Sequence, residues 1–262
     1  MSDAAREGTV TLHIDGAIAR ITFDRPQARN AMTWAMYAQL AAICDQLSAR
    51  DDVRCAVMRG AGGEAFVAGT DIEQFRAFKT GDDGIEYERQ IEAGISKIET
   101  LPMPTLAVID GWCVGGGIVI ATACDIRIGT PTAKFGVPIA RTLGNCLSMA
   151  NIARLVAAWG KPRVQRMLLC AEIIEAPGAV TCGYLAEIVD ASHIGEVAMD
   201  RARKLAALAP ITQAVSKEAL RRLTLQQLPD ADDLIRRAYG SEDFHEGVAS
   251  FSDKRAPQWR GR

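Results

Sequence analysis

The 262-residue sequence has little net charge, few histidines and no unbroken apolar run of membrane length, and each shortage excludes a class of protein. Its 30 basic and 32 acidic residues leave a formal charge of −2, which argues against a nucleic-acid partner held by bulk charge. The longest apolar stretch, Thr105 to Ala123, is interrupted by Asp110, Gly111, Gly115, Gly116 and Gly117. A membrane span there would leave loosened backbone unpaired in lipid, so no membrane partner is expected. With 3 histidines, and no two His or Cys at ligand spacing, no metal site is expected either. The 7 cysteines are odd in number and form no Cys-x-x-Cys pair, which favours a reducing cytosol and a cytoplasmic location. Asp3, Arg6, Glu7 and His13 interrupt the N-terminal stretch, so it is not expected to act as a secretory signal. A Gly-x-Ser-x-Gly nucleophile elbow is missing, and so are Gly-x-Gly-x-x-Gly and Gly-Lys-Ser/Thr phosphate loops.

What remains is a globular composition, 48% hydrophobic, with 23 Gly and 10 Pro scattered without a period. Val10, Leu12 and Ile14 alternate with polar neighbours, Asp15-Gly16 supplies a turn, and Ala19, Ile21 and Phe23 resume the alternation, which predicts a β-hairpin. Thr33 can cap a helix with Met36, Leu40, Ile43 and Leu47 on one face. Strands over Val53 to Met58, Thr105 to Ile109, Asp125 to Ile128 and Leu185 to Val189 alternate with helices around Ile85 to Ile98, from Gly117, across Cys146 to Leu155 and over Arg163 to Leu169. Such alternation predicts an α/β fold with mostly parallel sheet over residues 1–192. Residues 193–262 read as helices only, with Val215, Ala219, Leu220 and Leu223 as an apolar stripe. Lacking a sheet of their own to cover, they are expected to pack across the core mouth or against another subunit.

Two glycine-bearing turns, Ala65 to Ile72 and Gly111 to Ile118, each leave a strand and enter a helix. The first N–H groups of a helix have no partner within it and lie at the positive end of its dipole. Two of them meeting one oxygen would form an oxyanion hole, and the glycines would let a carbonyl approach the main chain. The same glycines would also serve a turn that is merely tight.

Asp24 to Met32 carries Arg-Pro-x-x-x-Asn-Ala, Ala65 to Ile72 reads Ala-Phe-x-Ala-Gly-x-Asp-Ile, and Asp110 to Gly117 is a glycine turn. Cys124 to Ile128, Ala133 to Gly136 and Phe244 to Arg255 follow in order. Together these segments resemble the crotonase superfamily, the enoyl-CoA hydratase/isomerase family, over nearly the whole chain. The resemblance implies a crotonase-like spiral of ββα units with acyl-CoA site, and a C-terminal helical region that mediates trimers, often paired into hexamers. It implies an acyl-CoA thioester as substrate, with coenzyme A arriving as part of it and no tightly bound cofactor. The N–H groups of Thr70 and Gly116 would bind the thioester oxygen and stabilise its enolate. Gln27, Ala28, Ala68, Asp71 and Ile72 would line the coenzyme A groove, while Phe251 and Lys254 would approach the nucleotide end. Asp71 also suits a helix cap, Phe251 plain core contact, and Lys254 a solvated basic tail with Arg255, Arg260 and Arg262.

The family's hydratases add water with two glutamates, and here those positions read Val119 and Ile139, which neither give nor take a proton. Ordinary hydration is therefore not expected. Arg141 is a candidate to pair with a substrate carboxylate, Asn145 or Thr142 to hydrogen-bond an enolate or water, and Cys146 to act as a nucleophile. Asn145 also suits a helix cap, Arg141 the surface, and Cys146 a small hydrophobe. Glu73, Glu86, Glu88 and Glu92 are acids within reach of the pocket, at a spacing that equally suits a solvated helix face. Two functions follow: an acyl-CoA lyase or isomerase with a non-standard proton-transfer group, or an inactive acyl-CoA-binding protein.

Overall fold

A strand–strand–helix path repeats along the chain, each time leaving its first strand in one sheet and its second in another. The computed structural model describes residues 7–262, so Asp3 and Arg6 lie outside the described residues. The hairpin β1 (Thr9–Asp15) and β2 (Ile18–Asp24) forms as the alternation predicts, with Gly16 at a positive φ of 57° in its turn. Helix α1 (Trp34–Ser48) is capped by Thr33, whose hydroxyl accepts from the Met36 N–H at 3.2 Å, and it buries Met36, Leu40, Ile43 and Leu47. The repeating units then follow. They comprise β3 (Cys55–Gly60), β4 (Ala65–Ala68) and α2 (Gly81–Glu99), then β5 (Thr105–Ile109), β6 (Trp112–Val114) and α3 (Gly116–Ala123), then β7 (Ile126–Gly129), β8 (Lys134–Gly136) and the short α4 (Ile139–Thr142).

The first strands extend the hairpin into a five-stranded sheet, β1-β2-β3-β5-β7, parallel from β2 onward. The second strands form β4-β6-β8 in parallel, closed by antiparallel β9 (Ile173–Glu175). This is the expected α/β spiral, although β6, β8 and β9 have three residues each and are too short to show a period. The apolar stretch from Thr105 to Ala123 is divided among β5, β6 and α3, and no helix among the described residues is long and apolar enough to cross a membrane.

Two expected elements differ. Residues Leu185 to Val189 run along β7, with the Ala186 N–H on the Arg127 carbonyl (2.9 Å) and the Val189 N–H on that of Gly129 (2.8 Å). Only Ile188 completes a bridge, because four-residue β7 ends there. The helix expected from Cys146 begins instead at Met149, where the Ser148 hydroxyl caps it by accepting from the Asn151 N–H at 3.3 Å. This helix, α5 (Met149–Trp159), is followed by α6 (Lys161–Leu169) and α7 (Ala176–Thr181).

The C-terminal helices take three different roles. Helix α8 (Ile194–Ala206) lays Ile194, Ala198 and Ala202 on the outer face of the five-stranded sheet, against Val57, Leu106, Val108 and Ile128. The expectation that these helices cover no sheet is therefore corrected for α8. Helix α9 (Pro210–Leu225) buries no residue and exposes Ile211, Val215, Leu220 and Leu223, the last two at 65% and 71%. Helices α10 (Asp232–Tyr239) and α11 (Glu242–Ser252) fold back over α2 and over the 3₁₀ turn Ile72–Ala77.

Candidate active site

Strands β4 and β6 are paired in parallel with Ala68 opposite Val114, so the turns that follow leave one sheet edge side by side. Gly69 has φ +90°, and Gly115 has φ +55° with ψ −124°, backbone states that glycine adopts without strain. A Cβ on Gly115 would stand 3.4 Å from the Gly69 Cα, and one on Gly116 would stand 2.7 Å from Tyr37 Oη and 3.3 Å from Thr70 Oγ1. The neighbouring peptides are pinned: Met32 N–H donates to the Gly69 carbonyl (2.9 Å), Asp71 N–H to that of Met32 (2.8 Å), and Gly115 N–H to that of Gly136 (3.0 Å). The N–H groups of Thr70 and Gly116 themselves donate to no acceptor among the described residues.

Thr70 and Gly116 both line a cavity of about 900 Å³. Asn145, Thr142, Gln27, Ala28, Ala68, Asp71, Ile72, Phe251 and Lys254 line it too, whereas Arg141, Cys146, Glu73, Glu86 and Glu92 do not. Arg141 is exposed on α4 and does not line the cavity, because its side chain leaves the short helix on the solvent side. Asp71 has defined local partners: its carboxylate caps the 3₁₀ turn by accepting from the Glu73 N–H (3.2 Å) and pairs with Arg25 at 2.7 Å. Asn30 of the Arg-Pro-x-x-x-Asn-Ala segment is fully buried and latches strands, its amide donating to the carbonyls of Ala61 (2.9 Å) and Ala65 (2.8 Å).

The inner wall is apolar where the resemblance would place acids. Val119 and Ile139 line it with Phe75, Ile91, Leu143 and Leu147. Tyr37 and Tyr87 flank the Thr70 hydroxyl, at 2.8 and 3.1 Å from Oγ1. Burial pushes the Tyr37 phenol up to about 12 and that of Tyr87 well above its usual value, so both stay protonated at neutral pH.

Of the four glutamates in question, only Glu88 lines the cavity. Glu73 accepts from the Ser252 hydroxyl (2.6 Å), Glu86 from the Gln90 amide (2.8 Å), and Glu92 pairs with Arg154. Glu88 is 3% exposed. Its Oε1 accepts from Tyr239 Oη and its Oε2 from the Ser148 N–H, both at 2.8 Å. Burial pushes its carboxyl up to about 7, even though those two bonds favour the ionised form. The Asn145 amide donates to Tyr239 Oη at 3.2 Å, and its own Oδ1 is buried without a protein partner among the described residues, so Asn145 does not cap α5. Buried Arg154 ties Glu92 and Glu99 together and donates to Asn151 Oδ1 at 2.9 Å. A guanidinium only donates, so the Asn151 contact is oxygen and its NH₂ is left for the cavity it lines. Cys146 does not line the cavity, and burial pushes its thiol up to about 12, which removes the thiolate a nucleophile needs.

Sequence alone assigns no individual role to Tyr37, Tyr87, Tyr239, Ser148 or Asn151. Comparison with known proteins agrees with this architecture. (E)-benzylidenesuccinyl-CoA hydratase of Thauera aromatica is 30% identical over 264 residues, covering 96% of this chain and 99% of that one. 1,2-epoxyphenylacetyl-CoA isomerase of Escherichia coli is 30% identical over 95% and 97% of the two chains. A solved methylmalonyl-CoA decarboxylase in complex with 2-nitronate-propionyl-CoA matches with a TM-score of 0.88 at 26% identity, over 97% of this chain and 98% of that one. Residues 13–262 fit the model of one family throughout, and with these relatives that places the chain in it: the protein belongs to the enoyl-CoA hydratase/isomerase family.

Proposed function

We propose that the protein binds an acyl group as its coenzyme A thioester and that the N–H groups of Thr70 and Gly116 hold the thioester oxygen. Negative charge that gathers on that oxygen as an enolate forms meets two fixed donors, each worth about 3 kcal/mol in a transition state. The reading rests chiefly on two neighbouring unpartnered amides, at the edge of a largely apolar chamber, with no room for a side chain at Gly116. The relatives' acyl-CoA names support the substrate class. Gln27, Ala28, Ala68, Asp71 and Ile72 would border the coenzyme, with Phe251 and Lys254 toward its nucleotide. The exposed apolar face of α9 fits burial between copies, as a homotrimer or a dimer of trimers.

Hydration by paired carboxylates is not proposed, since Val119 and Ile139 stand in their place. Those two side chains favour a second reading, a thioester-binding protein without turnover. Calorimetry with coenzyme A thioesters and a turnover panel separate the readings. For the donors, Gly116→Pro removes one N–H at a helix start, where proline is tolerated. A Tyr37→Phe background clears the hydroxyl that would stand 2.7 Å from the new Cβ. Relative to Tyr37→Phe alone, turnover of the best thioester is expected to fall at least about 100-fold. A folded double variant with undiminished turnover would refute the role of that amide.

A further inference from the structure

We infer that Glu88 is the proton-transfer group of this site, facing the acyl carbon next to the thioester carbonyl, and that Tyr239 and the Ser148 N–H are its positioning partners. The inference rests on the thioester reading above.

Glu88 lies on the same wall of the cavity as Tyr87, whose hydroxyl reaches Thr70 Oγ1 at 3.1 Å. The turn of α2 that carries the carboxyl therefore reaches Thr70, whose N–H is one of the two proposed donors, through the length of the Tyr87 side chain. The carboxyl accepts from Tyr239 Oη on one oxygen and from the Ser148 N–H on the other, with the Ser148 side chain also favouring its ionised form, and its acceptor sites outnumber these donors. Among the described residues no lysine or arginine pairs with it, and a carboxyl so buried without a cation is costly to the fold. The cost is what a site residue would carry, because a glutamine at 88 would accept from the Ser148 N–H and donate its NH₂ to Tyr239 Oη, whose own proton can turn to the Cys146 carbonyl, without it. Tyr239 reaches Glu88 only because Gly84, one turn earlier on α2, leaves room: a Cβ there would stand 2.2 Å from the tyrosine Cγ. Asn151 adds a hydrogen-bond donor to the same chamber.

In the step proposed, the Glu88 carboxylate removes a proton from the carbon next to the carbonyl. The C–H pair becomes the enolate double bond, and the carbonyl pair moves to the oxygen held by Thr70 and Gly116. The proton now on Glu88 returns to carbon and closes the cycle, so no oxidant or further reactant is consumed. The titratable groups facing Glu88 are Glu92 and Tyr87 from α2, Tyr239 from α10, Cys146 from the loop before α5 and Tyr37 from α1. Glu92 is paired with Arg154, and burial raises the others, which leaves Glu88 as the group that titrates near neutrality.

The test is solvent deuterium uptake by butanoyl-CoA and phenylacetyl-CoA in D₂O, read by mass spectrometry beside calorimetric binding of each. The wild type is expected to bind and to label the carbon next to the carbonyl. Glu88→Gln is expected to bind within about 3-fold, to melt no lower than wild type, and to label at least about 100-fold more slowly. Wild-type labelling should rise with pH through about 7 and then level off, a readout that stands even if the variant fails to fold. Equal labelling by Glu88→Gln, a flat pH profile, or wild-type binding without labelling would overturn the role of Glu88 and leave the thioester reading standing. If neither thioester bound, that reading would fall and the inference with it.

Discussion

Gly84→Ala tests how α10 delivers Tyr239. Replacing glycine by alanine inside a helix ordinarily stabilises by about 1 kcal/mol, because the unfolded chain loses freedom and helix propensity rises. At this position the new Cβ would meet Tyr239 Cγ, Cβ and Cδ2 at 2.2, 2.4 and 2.6 Å. The tyrosine Cβ is the root of the side chain, so rotating the ring does not relieve the contact and α10 must retreat. The ring itself is fully buried, 4.9 Å from Phe244 and 5.9 Å from Tyr87 by centroid. Overpacking of this kind costs about 1–3 kcal/mol. Loss of the Tyr239 hydrogen bond to the Glu88 carboxyl adds about 1.5–3 kcal/mol. Together these outweigh the propensity gain, so the net effect is a loss of about 1.5–5 kcal/mol. The assay is urea unfolding at fixed protein concentration, with Gly94→Ala as control. Gly94 lies on the same helix and a Cβ there meets nothing within 4 Å, so that variant should be neutral or gain up to about 1 kcal/mol. If Gly84→Ala were as stable as Gly94→Ala, the close approach of α2 and α10 would be refuted.

Glu88 also makes stability depend on pH. Its carboxyl is raised from 4.5 to about 7, so between those values the folded state holds a proton that the unfolded state has released. Its contribution is complete below about 4.5 and disappears as pH rises through about 7, to a total of about 3 kcal/mol. Glu88→Gln should therefore gain on the wild type as pH climbs from 5 to 8, and a constant gap in denaturation midpoints would contradict this. Arg154→Met leaves Glu92 and Glu99 without their shared cation and should cost about 3–5 kcal/mol by chemical denaturation; a loss under about 1 kcal/mol would show the triad to be open to water. Leu223→Glu places a charge on the apolar face of α9 and should yield smaller particles by analytical ultracentrifugation, whereas unchanged mass would exclude that face from assembly.

Periodicity and turn chemistry made most of the frame legible. The hairpin, α1 under its Thr33 cap and the C-terminal helices follow directly from spacing, because burial on one face is what produces both the pattern and the element. The segment from Ala65 to Ile72 and the glycine turn were legible for another reason: a backbone donor beside a positive φ leaves glycine as its trace. Glu88 was harder to place. It was one of four acids at a spacing that suits solvent, and what separates it is its register with Ile85, Ile91 and Ile95 on the apolar side of α2. Tyr239 could not be found from local sequence, since its partner lies 151 residues away and the contact depends on a gap left by Gly84. Arg141 was misplaced because a four-residue helix fixes no face by period.

The ladder between β4 and β6 divides the labour of the cavity. Adjacent strands lie about 4.8 Å apart whatever side chains they carry, so the grip proposed for a thioester oxygen at their ends would depend on the main chain alone. The groups that differ in chemistry hang elsewhere, on α2, on α3 and on residues 139–151. On the proposed reading, substitution there would change which carbon is protonated, or whether any is, without loosening the anchor. A scaffold so divided would exchange one reaction for another by altering a few wall residues while the proposed clamp stayed unaltered.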